Sequence, residues 1–133
     1  MSGTKKPTMS KLEQAPIWQL AASIVPRVRK IIKDVAYQEY YVFASPALQA
    51  AVSLNSDVAL IVGKDVEASL FDYCYARGHL FTLRGLLLTG EQAGSLSRDA
   101  VLLTELDKMQ ALLEKGITAL EAAEAKREKE GKA

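Results

Sequence analysis

From Pro16 to Leu120 the apolar residues return every three or four positions, and nowhere do they alternate with polar ones for the length of a strand. A period near 3.6 places such residues on one face of a helix, so the spacing excludes a sheet and predicts helices around a shared core. Four segments carry the pattern. The first begins at Pro16, where the missing N–H costs nothing, and its stripe is Ile17, Leu20, Ile24, Val28, Ile31 and Val35. Pro26 falls inside it and predicts a kink near Ala22. The second opens on Ser45-Pro46, with Ser45 as N-cap, and runs through Leu48, Val52, Val58 and Val62 to Gly63. The third spans Val66 to Ala93 and stops at Gly94. Ser97 then caps a fourth, with the seam Leu102, Leu106, Met109, Leu113, Ile117 and Leu120. Short connections favour antiparallel neighbours, and the expected fold is an all-α, antiparallel up-down four-helix bundle.

A chain of 133 residues that is 49% hydrophobic has material for one core and little room for a second. The expected layout is a flexible basic arm (1–11), the helical body (12–120) and a charged, fraying helix end, EAAEAKREKEGKA (121–133). Cys74 is the single cysteine, which excludes an internal disulfide and suits a reducing compartment. No uninterrupted apolar run approaches the roughly 18 residues of a membrane span, and the N-terminal lysines precede no apolar signal segment. The expectation is a cytoplasmic protein that does not enter a membrane. The net charge of +1 gives no global basic field. Charge is nevertheless uneven, because residues 1–34 hold seven Lys/Arg against Glu13 and Asp34, a balance of +5. Arg27, Arg29, Lys30 and Lys33 gather at the end of the first helix and are candidate phosphate contacts.

The third helix carries a repeat, RGHLFTLRGLLLTG, in which Arg77-Gly78 returns as Arg84-Gly85. Seven residues are two helical turns, so Gly78 and Gly85 share one line and Arg77 and Arg84 another. Each glycine costs about 1 kcal/mol relative to alanine inside a helix. Close approach of a neighbouring helix would offset that cost, and the two are assigned to helix packing. The arginines, set in an apolar arc, require an anionic partner: a carboxylate across a helix contact, or a nucleic-acid phosphate. On the same helix Leu70, Cys74, Phe81 and Leu88 form one apolar side and Ala68, Leu83 and Leu86 another. A helix apolar on two sides is buried twice, which points to self-association.

Catalytic patterns are weak. His79 is the single histidine, it falls away from Cys74 on the wheel, and it is expected at the surface. There is no His/Cys set with metal-ligand spacing, and Gly90-x-x-x-Gly94 lacks the Lys-Ser/Thr of a phosphate loop. The reading is a non-enzyme without metal or cofactor. Asn55 and Asp57 are candidate buried polar residues on the second helix.

Three stretches then carry a resemblance: LEQAPIWQLA (12–21), LQAAVSLNSDVA (48–59), and ARGHLFTL (76–83) continuing to Gly94-Ser95-Leu96-Ser97. In their order they resemble the four-helix bundle proteins of intervening sequences in bacterial 23S rRNA genes. The resemblance implies a homopentameric ring. It also implies kinship with accessory proteins of diversity-generating retroelements, which engage nucleic acid and a reverse transcriptase. The chain departs from the family pattern at Asp57-Val58-Ala59-Leu60-Ile61, at Leu48-Gln49, where the family often has paired arginines, and at His79. Two functions follow as expectations. One is a nucleic-acid-associated accessory protein using Arg27, Arg29, Lys30 and Lys33, with Arg77 and Arg84 added. The other is a protein-interaction scaffold that touches no nucleic acid.

Overall fold

A single turn of helix, Lys11–Gln14 (α1), opens the computed structural model, which describes residues 10–131. The Ser10 hydroxyl accepts from the Glu13 amide while the Glu13 carboxylate accepts from the Ser10 amide, a reciprocal cap that satisfies two orphan donors. Lys11 is therefore helical, and its Nζ reaches Asp65 Oδ2 at 2.6 Å. Residues 1–9 of the expected basic arm lie outside the described residues.

Four long helices follow: α2 (Pro16–Ile32), α3 (Ser45–Lys64), α4 (Leu70–Gln92) and α5 (Ala100–Gly131). No strand occurs among the described residues. Pro16 takes the first turn of α2 as expected. The helix runs unbroken through Pro26, whose nitrogen cannot donate to the Ala22 carbonyl. Its buried residues are Ala21, Ile24, Val28 and Ile32. Ile17, Leu20, Ile31 and Val35 of the expected stripe are only partly buried.

The second helix starts differently from the expectation. Ser45 has helical dihedrals (φ −64°, ψ −46°), does not cap, and donates its amide to the Tyr40 carbonyl five residues back. A π-turn, Tyr40–Ala44, thus leads straight into α3. Pro46 explains it: its nitrogen cannot donate to the Val42 carbonyl, its ring presses on that carbonyl, and the preceding turn widens. At the other end α3 passes Gly63 and stops at Asp65, whose φ of +54° ends the helix.

The ends of α4 and α5 are set by side chains that helical periodicity does not show. Ser69 and Asp72 form a second reciprocal cap, so α4 begins at Leu70 and not at Val66. Asp99, not Ser97, caps α5, its Oδ1 accepting from the Leu102 amide at 3.0 Å. Gly94, at φ +80°, closes α4 as expected: the amides of Gly94 and Ser95 bond back to Glu91 and Gly90.

Packing joins α2 to both α3 and α5, and α4 to both α3 and α5. Ile24, Leu54, Leu80, Leu83, Leu102, Leu106, Met109 and Leu113 are fully buried where the four meet. The seam expected on α5 is therefore buried from Leu102 to Ile117. Beyond Leu120 the helix continues exposed to Gly131. Within Tyr37–Glu67 an 18-residue segment of mean hydropathy 1.2 is long and apolar enough to cross a membrane, and 33% of that segment is buried in the fold. The inner positions of α3, Ala47, Ala50, Ala51, Leu54, Val58 and Ile61, recur at helical spacing and form part of the core.

Candidate anion-binding groove

The six basic residues singled out in the sequence divide into two sets. Arg27, Arg77 and Arg84 all meet carboxylates of α5. Arg27 Nε pairs with Glu105, which the Ser23 hydroxyl also contacts and whose side chain is largely buried. Arg77 Nη1 lies 3.4 Å from Glu114 Oε1, and Arg84 Nη2 lies 2.7 Å from Asp107 Oδ1. The repeat of seven on α4 is thus answered by a repeat of seven on α5, read in the opposite direction, which fixes the two helices as antiparallel neighbours. Both Arg77 and Arg84 thus have a carboxylate partner across the α4–α5 contact. The Arg84 Nη1 is buried without a hydrogen-bond partner, and Asp107 supplies the opposing charge through Nη2.

Arg29, Lys30 and Lys33 are exposed and have no ion-pair partner among the described residues. They come together on an open groove of about 670 Å³ at the C-terminal end of α2. Its apolar floor is Val25, Pro26, Ile32, Val35, Leu48 and Val52, and Tyr40 closes one side. Local structure accounts for the placement. Successive turns of α2 present Arg29 and Lys33 in line, with Lys30 beside them, while Val28 and Ile32 turn into the core. The negative end of the helix dipole favours cations in this last turn. The π-turn ahead of α3 then carries Tyr40 to the rim.

The other singled-out residues lie elsewhere. Gly78 and Gly85 are exposed, and a β-carbon on either would have no neighbour within 4 Å, so no helix among the described residues packs on them. The close-packed glycines are Gly90, where a β-carbon would come within 2.5 Å of Leu96 Cδ1, and Gly116, where it would strike the Tyr73 ring. His79 is half-buried, not a free surface residue. Its Nδ1 is 2.5 Å from Asp57 Oδ2 across the α3–α4 contact, and its ring stands against Tyr75. Cys74 is a free thiol near Arg77 Nη2, at 3.9 Å. Among the described residues no group of His, Cys, Asp or Glu could hold a metal ion.

Among the described residues Asp72 is the one charged residue that is buried. The Ser69 amide holds its carboxyl below the usual range against the opposing effect of burial, with Lys64 Nζ at 3.0 and 3.1 Å adding to the pull. Glu13 is lowered in the same way by the Ser10 amide and hydroxyl. Both carboxylates act as helix caps.

Helical wheels miss Tyr40, which lines the groove, and Tyr41 and Tyr37, which follow it in a chain of ring contacts. The signal that finds them is the aromatic run YQEYY, which follows the basic turn within a few residues. Comparison with known proteins finds no matching family model and no matching curated protein.

Proposed function

We propose that this chain is a non-catalytic, cytoplasmic helical protein that engages nucleic-acid phosphates through Arg29, Lys30 and Lys33. One observation carries the reading. These three cations share an open groove and lack carboxylate partners among the described residues, whereas Arg27, Arg77 and Arg84 are matched by α5. Guanidinium and ammonium groups held on one rim bind phosphate well, and such contacts tolerate any sequence. The resemblance to the rRNA intervening-sequence proteins agrees with this role, and by extension with service to a retroelement alongside a reverse transcriptase. In the same reading the four long helices close as an up-down bundle. Several copies assemble, as many as five in a ring.

Assembly has its own support. The exposed positions of α4 are Phe71, Tyr75, Gly78, Phe81, Thr82, Gly85, Leu88, Thr89 and Gln92, and none is charged. A face of that length without charge suits burial against another protein surface. The same face supports the second reading, a scaffold that binds only protein.

Filter binding of RNA and duplex DNA at low salt tests the first reading. Three phosphate contacts predict a log–log salt slope of roughly −2 to −3. Reversal of the groove charges (Arg29→Glu, Lys30→Glu, Lys33→Glu) should abolish binding, while Arg77→Gln should leave it intact. Absence of wild-type binding tighter than about 100 µM ends the proposal.

A further inference from the structure

We infer that the nucleic acid taken by this groove is single-stranded, with its bases stacked on Tyr37 and Tyr41. The inference rests on the phosphate-binding reading above and names the strand form it selects. Tyr40 lines the groove beside the cations. Its ring meets Tyr41 edge to face, with centroids 5.3 Å apart, and Tyr41 meets Tyr37 in the same manner at 6.4 Å. A continuous run of three rings therefore leads outward from the cationic rim. Tyr37 is 81% exposed and Tyr41 68% exposed, so their faces are open to a ligand. Edge-to-face contacts hold each ring's orientation while leaving at least one face free.

Backbone geometry keeps this platform in place. Tyr37 sits in a single turn of 3-10 helix, and Tyr40 and Tyr41 begin the π-turn that Pro46 imposes. The rings are thus carried on hydrogen-bonded turns between α2 and α3. Three cations joined through Tyr40 to a run of exposed rings is the kind of arrangement that binds single strands: phosphates follow the charge while unpaired bases lie on the aromatic faces. A duplex hides its base faces and could use only the cations. Asp34 and Glu39 lie near in sequence, but neither lines the groove.

The test uses the full chain and fluorescence anisotropy at low salt. Ligands are a short mixed-sequence RNA strand, the same sequence as single-stranded DNA, and the corresponding DNA duplex. Single strands of at least one sugar type should bind about tenfold or more tightly than the duplex, since each stacked base contributes about that factor. Tyr37→Ala with Tyr41→Ala should remove that preference and leave duplex binding unchanged. Both side chains are exposed, so the fold should survive, and circular dichroism checks it. In Tyr37→Trp, bound single strand should quench the new indole and duplex should not. A wild type that binds duplex as tightly as single strands, or tyrosine variants without effect, overturns the stacking inference. The phosphate reading then stands only if the triple charge reversal still abolishes binding. Anionic phosphatidylglycerol vesicles competing for the groove more strongly than either single strand would also overturn it. An RNA-over-DNA difference would identify which sugar the groove accepts and would support the inference.

Discussion

At the scale of single residues, what separates the arginines is whether a carboxylate lies within reach. Arg84 has Asp107 at 2.7 Å and Arg77 has Glu114 at 3.4 Å, whereas Arg29 has none among the described residues. Asp72 shows the converse, a buried carboxylate held ionised by the Ser69 amide and Lys64. Its carboxyl is depressed in the folded state. The stabilisation is therefore fully present above the unfolded aspartate value of about 3.9 and is lost as pH falls through the lower folded value. Denaturant titrations of wild type and Asp72→Asn should show a constant gap near neutral pH that narrows below about pH 4. A gap unchanged down to the acid transition would remove Asp72 from the acid response. Glycines divide on a similar local test. Gly116→Ala drives a β-carbon into the Tyr73 ring and should cost about 1–3 kcal/mol. Gly78→Ala and Gly85→Ala meet nothing and should each stabilise the isolated chain by about 0.5–1 kcal/mol. Thermal melts of the three variants check both signs.

Elements were legible in proportion to how local their causes are. The seam of α5 from Leu102 to Ile117 is buried as its period predicts, and Pro16 and Gly94 bound their helices as their chemistry requires. Helix starts were read less well. Ser45 and Ser97 each have a capping side chain in a plausible position, yet neither caps. Pro46 converts the turn at Ser45 into π geometry, and Asp99 lies closer to the first free amides of α5 than Ser97 does. Both reciprocal caps, Ser10 with Glu13 and Ser69 with Asp72, follow the Ser-x-x-acid pattern and could be read from sequence. The third helix has two apolar sides, but only Ala76, Leu80, Leu83 and Leu87 enter the core. Phe81 and Leu88, on the side with the paired glycines, are half-exposed. Periodicity found both sides and could not say which one this chain would cover.

For the whole molecule, that outward face makes assembly a measurable proposal. Light scattering should give a mass of several copies of the 14.5 kDa chain. Phe81→Glu with Leu88→Glu should return it to a single copy with the helical signal retained, since both side chains lie outside the core. A monomeric wild type would leave the uncharged face without an occupant of its own kind and would favour a different protein on it.

The sequence by itself determined the helical class, the seam of α5, and the cationic end of α2, because each depends on spacing along one segment. Only the tertiary structure decided which cations stay unpaired, which glycines are packed and which side of α4 is core. Those outcomes depend on distances between segments far apart in the chain. Arg77 and Arg84 show this most clearly: their spacing of two helical turns is evident in the sequence, but Glu114 and Asp107 become their partners only when α5 lies antiparallel beside α4.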